Sequence, residues 1–323
     1  MKYIKFNKGK SVDLNIIFVF EDQLPLIKRA LAKGRAYDDI EFAIKNHIVS
    51  GKVGTTNMFS SKTYDNDYFL VGVGNKDNFN IQIYERCITQ ALKQINTFKT
   101  TSICVDLTNI KIKNIDIIRS SIIEIEKTQY TYKKPGTFRL KECALKVSSS
   151  VDNKLFNKTT NESLAISAGI NKARMLGDTP SNVCNPTFLA REAKKLEKLN
   201  KDIKVEILDE KQMRTLKMGS LLSVSQGSRQ PAKLVIIKYM PIKKKQPIVL
   251  VGKGITFDTG GISLKPASNM DEMKYDMSGA GSVIGTMHAC AEMKLKNNII
   301  GILACAENMP GGLATRPGDV VTS

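Results

Sequence analysis

Short apolar runs alternate with amphipathic stretches in the first half of the chain. The runs at 14–20, 68–74 and 102–106 are rich in β-branched and aromatic residues, a composition that is typical of buried strands. In 84–95 and 115–130, apolar residues instead recur at helical spacing. Strands that alternate with helices predict an α/β layer for this half of the chain.

Further strands and helices are predicted in the second half. Helical spacing favours a helix over 161–176, and Thr187 is expected to cap another helix over 188–199. The strands are predicted at 205–208, 234–239, 248–251 and 299–306. The run at 248–251 is continuously apolar, which is typical of an inner strand of a parallel sheet.

A stretch without hydrophobic periodicity separates the two halves. Residues 131–158 are polar and basic, so we interpret them as the end of a first domain and a linker. A chain of 323 residues is long enough for two domains. We therefore expect an N-terminal domain over 1–158 and a second domain over 159–323, bridged by the predicted helix at 161–176.

The composition indicates a globular protein outside the membrane. Hydrophobic residues make up 42% and charged residues 25% of the chain, which are ordinary values for a globular domain. No apolar run approaches the roughly 18 residues that suggest a membrane span, and the first residues lack the apolar stretch of a secretory signal. The six cysteines are scattered and none forms a C-x-x-C pair, so reduced thiols in a cytoplasmic protein are expected.

The chain carries a large excess of positive charge. Its 49 lysine and arginine residues against 31 aspartate and glutamate residues give a net charge of +18, which favours weak binding of polyanions. The basic residues are scattered, however, and the densest run, Lys243–Lys245, is also typical of a solvated loop. A specific nucleic-acid role is therefore the minority interpretation. The lone histidines His47 and His288 are expected to be structural.

The clearest chemical signal follows the predicted strand at 248–251. Residues 252–266 contain two lysines, one aspartate and four glycines, and sites in open α/β sheets form at the carboxyl ends of strands. One interpretation is a phosphate-binding loop, but the Walker pattern is not met because Lys253 is followed by Gly254. The other is a glycine-rich turn with a solvated lysine, and composition alone leaves this structural interpretation open.

Acidic residues in and after this loop point towards a metal. Asn269 is expected to cap a helix that starts near Met270. Asp276 precedes a run of small residues that would let this helix pack tightly on a sheet, so its carboxylate is expected to face inwards. A buried carboxylate needs a cation, and Asp258 needs one for the same reason. Hard carboxylate ligands with few histidines suit divalent metals.

Three segments of this region carry a resemblance to a known family. They are VGKGITFDTGGISLK at 251–265, MDEMKYDM at 270–277 and CAENMPGG at 305–312. Together they resemble the motifs of the leucyl (cytosol) aminopeptidase family of two-metal peptidases, and weaker similarity extends upstream through TPSNVCNP at 179–186. The resemblance implies an α/β fold. Its parts would be a macro-like N-terminal α/β domain and an α/β catalytic domain whose central mixed sheet is flanked by helices.

The resemblance also assigns a role to individual residues. It implies that Lys253 binds a metal through a neutral amine, that Asp258 bridges two metals, and that Asp276 binds the second metal beside the free amine of the substrate. Lys265 matches the catalytic lysine that stabilises the oxyanion, and Met273 matches a wall of the pocket for the first side chain of the substrate. The implied substrate contacts are therefore made by Met273, Asp276 and Lys265.

The same resemblance implies a biochemical activity. That activity is the release of N-terminal amino acids, preferentially leucine, from peptides in the cytoplasm. Two divalent ions, Mn²⁺ or Zn²⁺, are the implied cofactors, and their role is to polarise the peptide carbonyl and to activate water. Glu307 and Asn308 are expected to support the loop and the groups that bind metal rather than to bind metal themselves, and Arg316 and Asp319 are expected to be structural.

The chain departs from the family pattern in one respect. The family's Asn-Thr-Asp-Ala-Glu-Gly-Arg motif, which supplies two carboxylate ligands and an arginine, would follow the matched segment 317–322 but is not found in the 323 residues. We therefore expect these residues alone to bind at most one metal weakly and to show little or no peptidase activity. The family's homohexamer is not expected either, because part of its interface would be missing. Two alternatives stay open: a DNA-binding or regulatory family member without catalysis, and an inactive remnant.

Overall fold

The chain divides into two compact units, Met1–Leu164 and Ala165–Ser323. The computed structural model describes residues 1–6, 12–24, 35–60, 66–98, 100–132 and 140–322. The division between the units falls inside one long helix, α4 (Asn153–Asp178). A domain boundary after residue 158 and a linker at 131–158 stay predictions. Within the described residues, every helix is too short or too polar to cross a bilayer.

The first unit is built on a six-stranded sheet with helices. Its elements are β1 (Lys2–Lys5), β2 (Leu14–Phe20), α1 (Arg35–Lys45), β3 (Thr56–Phe59), β4 (Asp67–Gly74), α2 (Ile81–Ile95), β5 (Ser102–Asp106), α3 (Asn114–Gln129), β6 (Glu142–Lys146) and the start of α4. The strand order is β1-β6-β5-β2-β4-β3, and all neighbours run parallel except β3 and β4. This arrangement confirms the α/β layer predicted for the first half.

The core of the first unit follows from the hydrophobic pattern. The apolar run at 14–20 forms β2, and Ile16 and Phe18 are almost completely buried in its middle. Helices α2 and α3 place their apolar stripes on the same cluster, with Ile88 and Ile118 fully buried. One strand of this sheet, β6, lies within 131–158, where the sequence predicted only irregular chain.

The second unit is built on a four-stranded mixed sheet flanked by helices. Its elements after α4 are α5 (Pro186–Lys194), β7 (Ile203–Leu208), α6 (Glu210–Thr215), α7 (Gly219–Ser225), β8 (Lys233–Tyr239), β9 (Ile248–Asp258), α8 (Ser278–Glu292) and β10 (Ile299–Asn308), with 3₁₀ helices at Lys195–Lys198 and Met270–Met277. The strand order is β7-β8-β10-β9. Strands β9 and β10 run parallel, whereas β8 runs antiparallel to both β7 and β10.

Among the described residues, β9 lies at one edge of the second sheet, beside β10. The apolar run at 248–251 is typical of an inner strand, and an inner position for β9 stays a prediction. Ile248 is 55% exposed and Val251 is 71% exposed. The inner parallel strand is β10, which pairs with β8 on one side and with β9 on the other. An apolar run shows that a strand can be buried on both faces, but it does not fix the strand order.

Two predicted helix caps also differ in the structure. Helix α5 is capped by Asn185, whose side chain accepts from the amide of Phe188 at 2.9 Å, and not by Thr187. Pro186 occupies the first turn, where its missing N–H has no partner to lose. Asn269 has a left-handed backbone and makes no side-chain cap, and the helix that follows it is 3₁₀ up to Met277.

Helix α8 lies unusually close to β9, as the small residues around its start predicted. A Cβ atom on Gly252 would lie 2.6 Å from the carbonyl oxygen of Gly279, and one on Gly279 would lie 2.9 Å from the amide of Lys253. Only glycine fits at such an approach. The contact brings the segment that carries Asp276 against the strand that carries Lys253.

Candidate metal centre

The predicted chemical residues lie on β9 and on the two segments beside it. Asp258 is the last residue of β9, and in the register of the parallel pair it lies opposite Asn308 at the end of β10. Lys253 lies earlier on β9, while Met273 and Asp276 lie on the 3₁₀ helix before α8. The carboxyl ends of parallel strands are where sites form in α/β sheets.

Asp258 is held by donors on both of its carboxylate oxygens. Its Oδ1 accepts from the side-chain amide of Asn308 at 2.6 Å and from the main-chain amide of Gly260 at 2.9 Å. Its Oδ2 accepts from the ammonium group of Lys265. Burial raises the pKa of Asp258, but the donors from Lys265, Gly260 and Asn308 outweigh that effect and place the pKa below its ordinary value. Asp258 is therefore a carboxylate at neutral pH.

A tight turn after β9 returns Lys265 to Asp258. The amide and the hydroxyl of Thr259 both donate to the main-chain oxygen of Asn308 at 2.9 Å, which fastens the turn to β10. Gly260 and Gly261 have φ of +88° and +70°, a backbone conformation that L side chains rarely adopt. The amide of Lys265 then donates to the carbonyl of Thr259 at 2.9 Å. The glycines predicted to matter here are needed for this turn.

Lys265 also contacts the segment that carries the next predicted residue. Its Nζ lies 3.5 Å from the sulfur of Met273 and 3.4 Å from the main-chain oxygen of Asp258. The side chain of Lys265 is 37% exposed, so its ammonium group is accessible to a bound molecule. The structure therefore groups Lys265, Asp258 and Met273 at one place.

Asp276 forms the second lysine–aspartate pair. Its Oδ1 forms an ion pair with the ammonium group of Lys253. Its Oδ2 is buried and has no hydrogen-bond partner among the described residues. Buried polar atoms are nearly always hydrogen-bonded, so an unpaired carboxylate oxygen marks a missing cation or donor. The predicted inward orientation of Asp276 agrees with this burial.

The carboxylates at this place have the chemistry that suits a divalent cation. Carboxylate oxygens are hard ligands, and one oxygen of Asp276 is buried without a donor. Within the described residues, no group of three or more histidine, cysteine, aspartate or glutamate side chains is close enough to hold a metal. Asp258, Asp276 and Lys253 are the metal donors that the family resemblance implies, and in the structure each of the two carboxylates pairs with a lysine.

The structure does not connect the two pairs directly. Among the described residues, no hydrogen bond or ion pair joins Lys253 and Asp276 to Asp258 and Lys265. The sequence predicted that Asn308 supports the loop and the groups that bind metal, but it did not show that the partner of its side chain is Asp258. The position of Asn308 directly after the predicted strand at 299–306 was the available signal. Glu307 beside it accepts from the hydroxyl of Ser228, which ties the 226–230 loop to β10.

Two family models match the chain over most of its length. The catalytic domain of the cytosol aminopeptidase family matches residues 171–323, and the N-terminal domain of the same family matches residues 16–135. The chain belongs to the cytosol aminopeptidase family. The predicted family membership is thereby confirmed.

Bacterial members of the family are similar over nearly the whole chain. The probable cytosol aminopeptidase of Pseudomonas syringae is 41% identical over 294 residues, covering 88% of this chain and 59% of the relative. The cytosol aminopeptidase of Pseudomonas aeruginosa is 41% identical over 308 residues, covering 90% and 62%. That of Paraburkholderia xenovorans, named a probable cytosol aminopeptidase, is 43% identical over 331 residues, covering 98% and 64%. The chain thus spans about three fifths of the length of these relatives.

Solved structures of the same fold agree with the architecture described above. A bottromycin maturation enzyme in complex with Mn is 23% identical with a TM-score of 0.79, covering 96% of this chain and 63% of that chain. A mutant of tomato leucine aminopeptidase is 22% identical with a TM-score of 0.80, covering 99% and 65%. At this identity the likeness shows the fold, and it confirms the predicted pair of α/β domains with a mixed second sheet.

Proposed function

We propose that the protein carrying these residues is a metal-dependent aminopeptidase that releases N-terminal amino acids, preferentially leucine, from peptides in the cytoplasm. The observation that carries the proposal is the buried, unpartnered Oδ2 of Asp276 beside Lys253, in a chain of the cytosol aminopeptidase family. The names of the relatives support the aminopeptidase activity.

In this proposal the donor set is the one that the family resemblance predicted. Lys253, Asp258 and Asp276 hold part of a site for two divalent ions, Mn²⁺ or Zn²⁺. When bound, these ions supply Lewis-acid polarisation of a peptide carbonyl and a water molecule of lowered pKa. Lys253 would be a ligand through its side-chain amine, in place of the ion pair that it forms with Asp276 in this structure.

The remaining residues of the site act on the peptide itself. The ammonium group of Lys265 stabilises the negative charge that develops on the carbonyl oxygen of the scissile bond. Met273, whose sulfur lies 3.5 Å from that ammonium group, forms a wall for the first side chain of the substrate. Asp276 accepts a hydrogen bond from the free N-terminal amine, which explains a preference for peptides with an unblocked end.

The metal assignment can be tested with two matched substitutions on one segment. Asp276→Asn removes the carboxylate with the unpartnered oxygen, while Asp271→Asn removes an exposed carboxylate near the start of the same 3₁₀ helix. Titration calorimetry with Mn²⁺ should show binding to the unchanged protein and to the Asp271→Asn variant. Binding to the Asp276→Asn variant should be at least about tenfold weaker. Equal affinities for all three would contradict the assignment.

A second candidate function, nucleic-acid binding, is favoured by a cluster of lysines in the second unit. We infer it from two loops that the buried side chain of Asn298 ties together, since this side chain donates to the carbonyls of Ile242 and Lys245 at 2.7 Å. Lys245 also donates to the carbonyl of Lys296 at 3.5 Å. The loops expose a basic cluster that pairs with no carboxylate among the described residues: Lys243, Lys244, Lys245, Lys294 and Lys296.

Salt dependence tests this second candidate. Neutralising Lys243, Lys244 and Lys245 to glutamine should weaken binding of a fluorescent DNA duplex and lower the slope of log affinity against log salt. A control variant removes the same charge from three exposed lysines of the first unit: Lys2, Lys52 and Lys154. Equal loss in the two variants would show that binding follows net charge and not the basic cluster.

A further inference from the structure

Asn308 controls how the carboxylate of Asp258 is presented. Its side-chain amide donates to Oδ1 at 2.6 Å, and the amide of Gly260 donates to the same oxygen at 2.9 Å. With Oδ1 occupied from two sides, the plane of the carboxylate is fixed and Oδ2 is the oxygen that faces Lys265. The orientation of the Asp258 carboxylate is therefore set by two neutral donors, the amides of Asn308 and Gly260, and not by Lys265.

Asn308 is itself held in one orientation. Its main-chain oxygen accepts from both the amide and the hydroxyl of Thr259 at 2.9 Å. Its side-chain oxygen faces Gly261, where a Cβ atom would lie only 2.9 Å away. The amide nitrogen is thereby directed at Asp258, and the absence of a side chain on Gly261 leaves room for the amide oxygen on the other side.

We propose that Asn308 is a positioning residue for the metal site, which turns the Asp258 carboxylate so that Oδ2 is presented to a divalent cation. The proposal rests on the proposed function, because Asp258 is a metal ligand only within it. Groups that hydrogen-bond to a metal ligand fix its orientation, and their removal typically weakens metal binding about 10–100-fold. Asn308 reaches the cation only through Asp258 and makes no contact with substrate in this proposal.

The contacts of Asn308 separate this role from a purely structural one. The bonds to Thr259 use the main chain of Asn308, so they survive any substitution of its side chain. Leucine has the branching of asparagine at Cγ but is larger and carries no donor. The variant Asn308→Leu therefore keeps the main-chain bonds of the turn while it removes the single bond to Oδ1. The variant Asn308→Ala removes the same bond and leaves a space instead.

A matched control removes a hydrogen bond to Glu307, the residue before Asn308 on β10. The hydroxyl of Ser228 donates to Glu307, and Ser228→Ala removes that bond without touching Asp258. Mn²⁺ affinity should be measured by titration calorimetry for the unchanged protein and the three variants, with the melting temperature of each recorded in a chelator. We expect binding about 10–100-fold weaker in both Asn308 variants. We expect no change beyond about twofold for Ser228→Ala, and a melting temperature for Asn308→Leu close to that of the unchanged protein.

The outcomes distinguish this proposal from the one on which it rests. If Asn308→Leu and Asn308→Ala bind Mn²⁺ as tightly as the unchanged protein, the positioning role is wrong and the proposed metal site is unaffected. Unchanged protein that binds no Mn²⁺ would overturn both. Weaker binding in both the larger Asn308→Leu and the smaller Asn308→Ala, with the melting temperature of Asn308→Leu unchanged, is the result that the positioning role predicts.

Discussion

Two lysine-bound carboxylates of the second unit differ in how completely they are satisfied. Glu192 on α5 is 5% exposed, and each of its oxygens accepts from a lysine, Lys172 of α4 on one side and Lys195 on the other. Asp276 has one oxygen paired with Lys253 and the other buried without a donor. The first arrangement fastens two helices together. The second leaves one carboxylate oxygen without a donor among the described residues, and this is where the proposed function places a cation.

The comparison teaches that lysine–carboxylate pairs in one unit can serve opposite purposes. Removing a partner from a satisfied pair should cost stability and leave the chemistry of each folded molecule unchanged. Removing a site lysine should do the reverse. Substitutions in the two regions therefore test whether the distinction drawn from hydrogen bonds is real.

The largest effect is expected at the site, from Lys265→Ala. Loss of one charged group that stabilises an oxyanion typically costs about 10²–10³-fold in rate. In a preparation of the protein that hydrolyses leucine anilide, we expect such a fall in turnover with unchanged metal content, measured by elemental analysis.

The control for this substitution comes from the same segment. Lys274 lies over the ring of Tyr275, 4.8 Å from its centre, and Lys274→Ala removes an equal charge without touching Asp258. Turnover of this variant should stay within about twofold of the unchanged protein. Equal turnover in Lys265→Ala and Lys274→Ala would make Lys265 a structural residue like those around Glu192.

A smaller effect, on stability alone, is expected from Glu192→Gln. The substitution replaces two charge-assisted bonds in a buried place with at most one neutral acceptor, and we expect the free energy of unfolding to fall by about 1–3 kcal/mol. The exposure of Lys195, 64% for its side chain, keeps the value towards the lower part of that range. Urea denaturation measures it.

Metal affinity provides the other half of this test. Glu192→Gln should bind Mn²⁺ as tightly as the unchanged protein under conditions where both are folded. If Glu192→Gln is as stable as the unchanged protein, or if it binds Mn²⁺ less tightly, the distinction drawn between Glu192 and Asp276 is wrong.

The smallest effect is a change in the acid limb of the stability curve. Burial raises the pKa of Glu192, but the bonds from Lys172 and Lys195 outweigh it and leave the pKa below the ordinary value of 4.5. A carboxylate with a lowered folded-state pKa contributes stability that is fully present above its unfolded pKa and is lost as the pH falls through the folded value. The stability difference between the unchanged protein and Glu192→Gln should therefore be constant above about pH 5 and shrink below pH 4.5.

Denaturation series from pH 7 to pH 3 measure this difference directly, because other titrating groups cancel between the two proteins. A difference that persists unchanged at pH 3 would show that the two lysines do not lower the pKa of Glu192.

Strands and helices could be predicted from the sequence where the apolar pattern is clear. The run at 14–20 became β2 with the same bounds, and the predicted strand at 102–106 became β5. Strand β6 was missed because its five residues, Glu142–Lys146, are too short to show a period against a polar background. The strand order β7-β8-β10-β9 could not be predicted, because it depends on pairing between distant segments, which no local pattern records.

The residue types and the spacing of the motifs were enough to name the candidate residues of the site. Lys253, Asp258, Lys265 and Asp276 could be named from the sequence, and their metal and catalytic roles stay predictions. What the sequence could not show is the partner of each charge. The pairing of Lys265 with Asp258 depends on a turn built on left-handed glycines, and the bond from Asn308 depends on the register of two parallel strands.

The position of β9 at an edge among the described residues has a practical consequence for anyone who handles these 323 residues by themselves. In the described part of the protein β9 pairs with β10 alone, and its exposed side chains include Ile248 and Val251, so it is a template on which another chain can add. Association through this edge would grow with protein concentration and with ionic strength, since salt screens the repulsion between molecules of net charge +18. Dilute solutions of low salt are therefore the conditions under which these residues should remain dispersed.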